Sequence, residues 1–135
     1  MQRDEDLERI ASIVVDCGYA LHRDLGPGLL ESAYERLMFA GLRQRGLQVE
    51  RQVPIRIEYN GIVIDDAFKA DLVIERRLLI ELKSVETYSP VHAKQVITYP
   101  RLMHLPLGLL INFGMASYKE GVRRIGNNYF SPPQA

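Results

Sequence analysis

The chain has 135 residues, 47% of them hydrophobic and 25% charged, and its 17 basic and 17 acidic side chains balance to a formal net charge of zero. That length fits one domain with a core of its own, and the composition excludes a disordered or fibrous class. With no global field to attract nucleic acid, any such binding rests on a local patch, and the lone Cys17 excludes an internal disulfide or a multi-cysteine zinc site.

No apolar run reaches membrane-spanning length, and the acidic start (Asp4, Glu5, Asp6) is unlike a signal peptide. A soluble, cytoplasmic protein is the expectation. Residues 1–130 are expected to form a single domain, with 131–135 as a loose tail.

Leu7, Ile10, Val14, Cys17, Leu21 and Leu25 recur at steps of three and four, which predicts an amphipathic helix over about residues 5–24. Cys17 lies on that stripe and is expected to be a buried structural thiol. Gly26-Pro27-Gly28 ends the helix in a sharp turn. A phosphate-binding loop is disfavoured there, because the turn follows a helix and lacks the lysine of a P-loop.

A second helix is predicted from about Leu29 to Arg45, capped by Gly46, with Leu30, Ala33, Tyr34, Leu37, Met38, Gly41 and Leu42 as its apolar positions. At 100° per residue Glu31 falls on the margin of that face. Two roles stay open for it: a first-turn carboxylate complementing the helix dipole, or an acid looking into the edge of the core.

Residues 48–59 alternate as a half-exposed strand. Val49, Val53, Ile55, Ile57 and Tyr59 fall on one face and Gln52, Arg56 and Glu58 on the other, while Pro54 marks an edge position. Asn60-Gly61 is a hairpin signal, and a strand from Ile62 to about Phe68 follows. Ala70 to Lys83 then holds two short Val/Ile/Leu-rich runs joined by a charged turn, predicted as a buried hairpin. Leu72, Ile74, Leu78, Ile80 and Leu82 occupy even positions and Asp71, Val73, Leu79, Glu81 and Lys83 odd ones. A two-residue turn would pair Asp71 with Leu82 and mix the faces, and its positive φ angles suit Arg poorly. An odd-length connection or a bulge is therefore predicted, bringing Asp71 beside Glu81.

Ser89-Pro90 resembles a helix start, and the helix that follows carries His92, Gln95 and Tyr99 on one face until Pro100 kinks or ends it. Leu107 to Phe113 is predicted as a strand buried on both faces, and Tyr118 to Ile125 as a last, more exposed strand. The order is helix, helix, three or four antiparallel strands, helix, strand, strand. It predicts an α/β sandwich with a central mixed β-sheet flanked by helices.

Charged groups at the ends of buried strands are costly unless paired, metal-bound or catalytic. Asp71, Glu81 and Lys83 suit metal-assisted hydrolysis. Two carboxylates give hard oxygen ligands to Mg²⁺, which prefers phosphate as a further ligand and offsets charge building on a phosphodiester. A lysine two residues along the same strand shares that face, placed to orient water or bind phosphate. The competing account is an ordinary Glu–Lys pair near a strand end. Elsewhere, His22, His92 and His104 lack metal-ligand spacing, and Arg43, Arg45, Arg51 and Arg56 are expected to be scattered surface charges rather than a phosphate-tracking patch.

Asp71 followed by Glu81-Leu82-Lys83 resembles the PD-(D/E)XK nuclease superfamily, and Gly28-Leu29-Leu30-Glu31-Ser32-Ala33-Tyr34 resembles the signature of the GxxExxY proteins within it. The likeness extends through residues 68–75, 80–86 and 107–114. It departs at Ala70, where the superfamily's name has proline, and at Pro100, which directly follows Tyr99. The resemblance implies a restriction-endonuclease-like core, with Asp71 and Glu81 binding Mg²⁺ or Mn²⁺ and Lys83 as the catalytic lysine. It also implies Glu31 as the helix-borne acid, Gln95 and Tyr99 as a Q-x-x-x-Y element near which His92 stands, and DNA or RNA as substrate. The alternative is a nuclease-fold module with little or no hydrolysis that binds nucleic acid or a protein. In either case self-association or a protein partner could supply recognition surface that so short a chain lacks.

Overall fold

The computed structural model describes residues 4–87, 90–127 and 129, apart from the side chains at 90, 92, 93, 96 and 97. The expected cap at Ser89, the side chain of His92 and the tail 131–135 lie outside the described residues. Helix α1 spans Glu5–Leu25; Asp4 caps it by accepting from the Leu7 amide at 3.0 Å, and Gly26 (φ 74°) ends it. Of the predicted stripe, Leu7, Ile10, Val14 and Cys17 are buried and Leu21 partly so, whereas Leu25, at the end of the helix, is 49% exposed.

Helix α2 spans Glu31–Gln44, two residues later than predicted at its start, because Leu30 is still extended. Gly46 (φ 86°) terminates it, as predicted. Its buried residues are Tyr34, Glu35, Met38 and Leu42, whereas Leu30 is 77% and Leu37 39% exposed. Leu30 precedes the first turn, so the helical period does not place it. The packed stripe follows i, i+4 steps from Tyr34, which leaves Leu37 at its outer margin and brings the carboxylate of Glu35 inward.

The sheet has the order β1-β2-β3-β4-β5, with β1 Val49–Tyr59, β2 Ile62–Ile74, β3 Leu78–Lys83, β4 Leu107–Asn112 and β5 Val122–Gly126. All neighbours are antiparallel except β3 and β4, which run parallel across the crossover helix α3, Pro90–Leu102. The sheet is therefore mixed and flanked by helices, as predicted. Leu72, Ile74, Leu78, Ile80 and Leu82 join α1 and α2 in the larger core, while Val73 and Leu79 pack on the other face with Tyr99 and Leu105. β4 is buried throughout, and β1 is an edge strand, which accommodates Pro54.

Three predictions are corrected. The run 62–68 and the run from Asp71 are one 13-residue strand. α3 continues to Leu102, two residues past Pro100; the proline falls in the last turn, and its carbonyl accepts from the Leu105 amide at 2.8 Å. The last strand starts at Val122 rather than Tyr118, after a 3-10 turn over Lys119–Gly121, because the Tyr118 hydroxyl is drawn to the Val15 carbonyl (2.8 Å) on α1.

The hairpin connection has the predicted odd length. Ile74 pairs with Leu78 and Leu72 with Ile80 around Glu75-Arg76-Arg77, a register that sets Asp71 opposite Glu81. Glu75 (φ 52°) and Arg76 (φ 55°) nevertheless adopt the positive φ that counted against Arg in the sequence. Arg77 ties the turn to the start of α1 through ion pairs with Asp4 and with Asp6 (2.8 Å).

The alternation predicted for 48–59 breaks at one residue. Val49 packs against the larger core, but Val53 and Ile55 pack on the α3 face, although all three are odd-numbered. Gln52, at φ 49°, is the left-handed residue that turns the strand over. Opposite it in register, β2 makes the same switch across Asp71, with Leu72 in one core and Ala70 in the other. Among the described residues no helix is long and apolar enough to cross a membrane.

Candidate active site

The β2–β3 ladder stops at Leu72–Ile80, and side chains take over where it stops. The Asp71 amide donates to Glu81 Oε1 at 3.2 Å, and the Leu82 amide donates to Asp71 Oδ2 at 2.8 Å. Each carboxylate thus occupies a main-chain position that the next ladder pair would have used. Glu81 is only 4% exposed. Burial first, and then the negative charge of Asp71, push the Glu81 carboxyl up to about 8. Asp71 is also raised, chiefly by burial, with the Glu35 charge adding to it, while the Leu82 amide, Gln52 and Lys83 oppose the rise. Two acids held this closely at low exposure favour a cation between or beside them.

Lys83 closes β3, two residues beyond Glu81, and pairs with Asn112 at the end of β4. Its charge lowers both carboxyls, so it lies within electrostatic reach of each. The fully buried Asn112 fixes the chain beyond it. Its Oδ1 accepts from the amides of Val85 (3.0 Å) and Gly114 (2.9 Å), and its Nδ2 donates to the Val85 carbonyl at 2.9 Å.

Glu31 is exposed in the first turn of α2, a place that suits the helix dipole, yet its charge also raises Glu81. It therefore stands at the mouth of the pair rather than inside it. The turn before it is pinned by Tyr34, whose hydroxyl donates to the Gly26 carbonyl at 2.5 Å and accepts from the Leu29 amide at 3.3 Å. The Tyr34 ring stacks on Phe113 at 4.1 Å, and the Ser84 hydroxyl donates to the Leu29 carbonyl at 2.7 Å. The G-x-x-E-x-x-Y spacing is thereby explained. Gly28 (φ 118°) makes the turn, Tyr34 locks it, and Glu31 is presented beside the segment that follows β3.

From α3, Tyr99 is buried against Phe68 (ring centroids 4.9 Å apart); burial, followed by the charges of Glu81 and Asp71, raises its hydroxyl pKa. Gln95 carries a buried side-chain oxygen, Oε1, with no hydrogen-bond partner. Asp71, Glu81, Lys83, Glu31 and Tyr99 thus come together within electrostatic reach, and Gln95 lies one helical turn before Tyr99 on α3.

Two residues not singled out as site groups in the sequence border this cluster. Glu35, 7% exposed, accepts from Arg51 at 3.1 Å and from the amide of Gln52. The same Gln52 Nε2 donates to Asp71 Oδ1 at 3.3 Å. Glu35 was findable as the acid four residues after Glu31 on the Tyr34 side of the helix. Nothing in the sequence marks Gln52. Of the arginines at 43, 45, 51 and 56, Arg43 and Arg51 both lie over the Phe39 ring, at 5.3 and 5.4 Å. Arg45 binds the Gly41 carbonyl, Arg51 also binds Glu35, and Arg56 lies 3.7 Å from Glu58.

A mixed five-stranded sheet flanked by helices makes this an α/β domain, a fold consistent with a nuclease-type core. The sequence model of the PD-(D/E)XK nuclease superfamily matches residues 8–125, and the chain belongs to that superfamily. No curated protein and no solved structure matches it significantly. Nucleases of this superfamily generally use divalent metals, and membership implies a nucleic-acid substrate. The carboxylates of Asp71 and Glu81 fit such an ion, since hard oxygen donors suit Mg²⁺ or Mn²⁺. Among the described residues no group of three or more His, Cys, Asp or Glu is arranged to hold a metal.

Proposed function

We propose that this chain is a Mg²⁺- or Mn²⁺-dependent nuclease of the GxxExxY group that hydrolyses phosphodiester bonds of DNA or RNA in the cytoplasm. The observation that carries the proposal is the cross-bonded pair of half-buried Asp71 and buried Glu81 at the point where β2 and β3 part, with Lys83 on the same strand as Glu81. Asp71 and Glu81 would hold the ion, which supplies Lewis-acid stabilisation of charge developing on the phosphate. Lys83 orients the attacking water and places positive charge beside the phosphoryl oxygens. Glu31 approaches from the mouth, and its place at the start of α2 lets it bind a water of the site. Tyr99 and Gln95 close the α3 side, where the tyrosine hydroxyl, held neutral, donates a hydrogen bond and the glutamine amide orients a substrate oxygen.

A second reading is favoured by the absence, among the described residues, of a three-acid cluster. It is a nuclease-fold module that binds nucleic acid or a protein partner without cleaving. Incubation of the purified protein with single- and double-stranded DNA and RNA, in Mg²⁺, Mn²⁺ or EDTA, separates the two. Cleavage that needs the metal and is lost in Asp71→Asn supports the nuclease. Intact substrate in every condition supports the module.

A further inference from the structure

The residue opposite Asp71 is out of keeping with an edge strand. Gln52 is neither glycine nor asparagine, yet it holds φ at 49°, and the face of β1 reverses there. Its side-chain nitrogen points back across the strand pair and bonds two carboxylates, Glu35 on α2 and Asp71 on β2. Glu35 is in turn fixed by Arg51, whose Nε and Nη2 both reach its Oε2, at 3.2 and 3.1 Å. The second oxygen of Asp71 is held by the Leu82 amide, so the Asp71 carboxylate is gripped at both ends.

We propose that Gln52 is a positioning residue of the carboxylate pair: anchored by Glu35, its amide holds Asp71 against the Leu82 amide in the orientation that receives the divalent ion. The inference rests on the metal-site reading for its last clause only. The backbone strain at Gln52 aims the amide, and the Arg51–Glu35 pair keeps it from swinging to solvent, to which the Gln52 side chain is otherwise exposed. Gln52 does not itself touch the reacting atoms. Hydrogen-bond partners of metal-ligating carboxylates commonly control affinity in this way.

The experiment uses Gln52→Gly, which accepts the left-handed backbone without strain and removes the amide, and Gln52→Met, which keeps the side-chain bulk. In metal-free protein, amide hydrogen exchange at Leu82 should quicken by about tenfold in both variants, while the Ile80 amide, inside the ladder, stays as in the parent. Mn²⁺ affinity measured by titration calorimetry should weaken about 10- to 100-fold in both, without loss of cooperative melting. Unchanged Leu82 exchange in a folded variant overturns the positioning role, as does unchanged Mn²⁺ affinity where the parent binds the ion. Should the parent bind no Mn²⁺ at all, the metal-site reading fails, and Leu82 exchange still decides whether Gln52 holds Asp71.

Discussion

Replacing Glu81 by glutamine changes the pH dependence of folding in a way the site geometry dictates. The Glu81 carboxyl is raised from 4.5 to about 8, first by burial and then by Asp71. Between those values the native protein keeps a proton that the unfolded chain has released, so stability falls as pH rises across the window. Fully developed above pH 8, the loss is on the order of a few kcal/mol, because the titration is shared with the neighbouring Asp71. Glutamine matches the shape, can accept from the Asp71 amide and cannot ionise, so Glu81→Gln should be close to the parent at about pH 5 and clearly more stable at about pH 9. For a chain of this length the difference at the upper end corresponds to a rise in Tm on the order of 10 °C. Thermal unfolding followed by circular dichroism in EDTA, at intervals across that range, measures it. Mn²⁺ should raise the Tm of the parent and leave Glu81→Gln unmoved. Parallel Tm curves for the two proteins from acid to alkaline pH would refute the buried, proton-retaining carboxyl and the argument built on it.

Other substitutions probe the frame around the pair. Tyr34→Phe strands the Gly26 carbonyl and the Leu29 amide and should cost about 1–3 kcal/mol in urea unfolding, with a fall in any cleavage rate because the turn carrying Glu31 loosens. Asn112→Ala removes three bonds to Val85 and Gly114 from a fully buried site and should cost on the order of 3 kcal/mol by the same measurement. Gly114→Ala drives a Cβ into the Val85 backbone, which no rotamer relieves, and should lower Tm at least as far as Asn112→Ala does.

Much of this was legible in the sequence because it follows from period and parity. The alternation of Leu72, Ile74, Leu78, Ile80 and Leu82 demanded an odd connection, and that demand alone set Asp71 beside Glu81 before any coordinates. The α1 stripe was legible from its period, and the buried β4 from an unbroken apolar run between Pro106 and Gly114. Where the sequence misled, a tertiary contact outweighed a local rule. Glu75 and Arg76 accept positive φ because Arg77 is anchored by Asp4 and Asp6 far away in the chain. Tyr118 leaves the predicted strand for a carbonyl of α1. The reversal at Gln52 has no signature at all, since a glutamine in an alternating run looks like any solvated strand residue, and only the cross-strand partner at Asp71 gives it meaning. Glu35 sits between these cases: its register on α2 was readable, but its burial depends on Arg51, a residue that scatter of charge had assigned to the surface.

The claim that Asp71, Glu81 and Lys83 form a metal-dependent phosphodiesterase site is tested most directly by single-turnover cleavage of a labelled oligonucleotide in Mn²⁺, with parent and Lys83→Ala protein assayed side by side. The account predicts that the variant binds Mn²⁺ as the parent does and cleaves about 10²- to 10⁴-fold more slowly. Cleavage by Lys83→Ala at the parent's rate would contradict it.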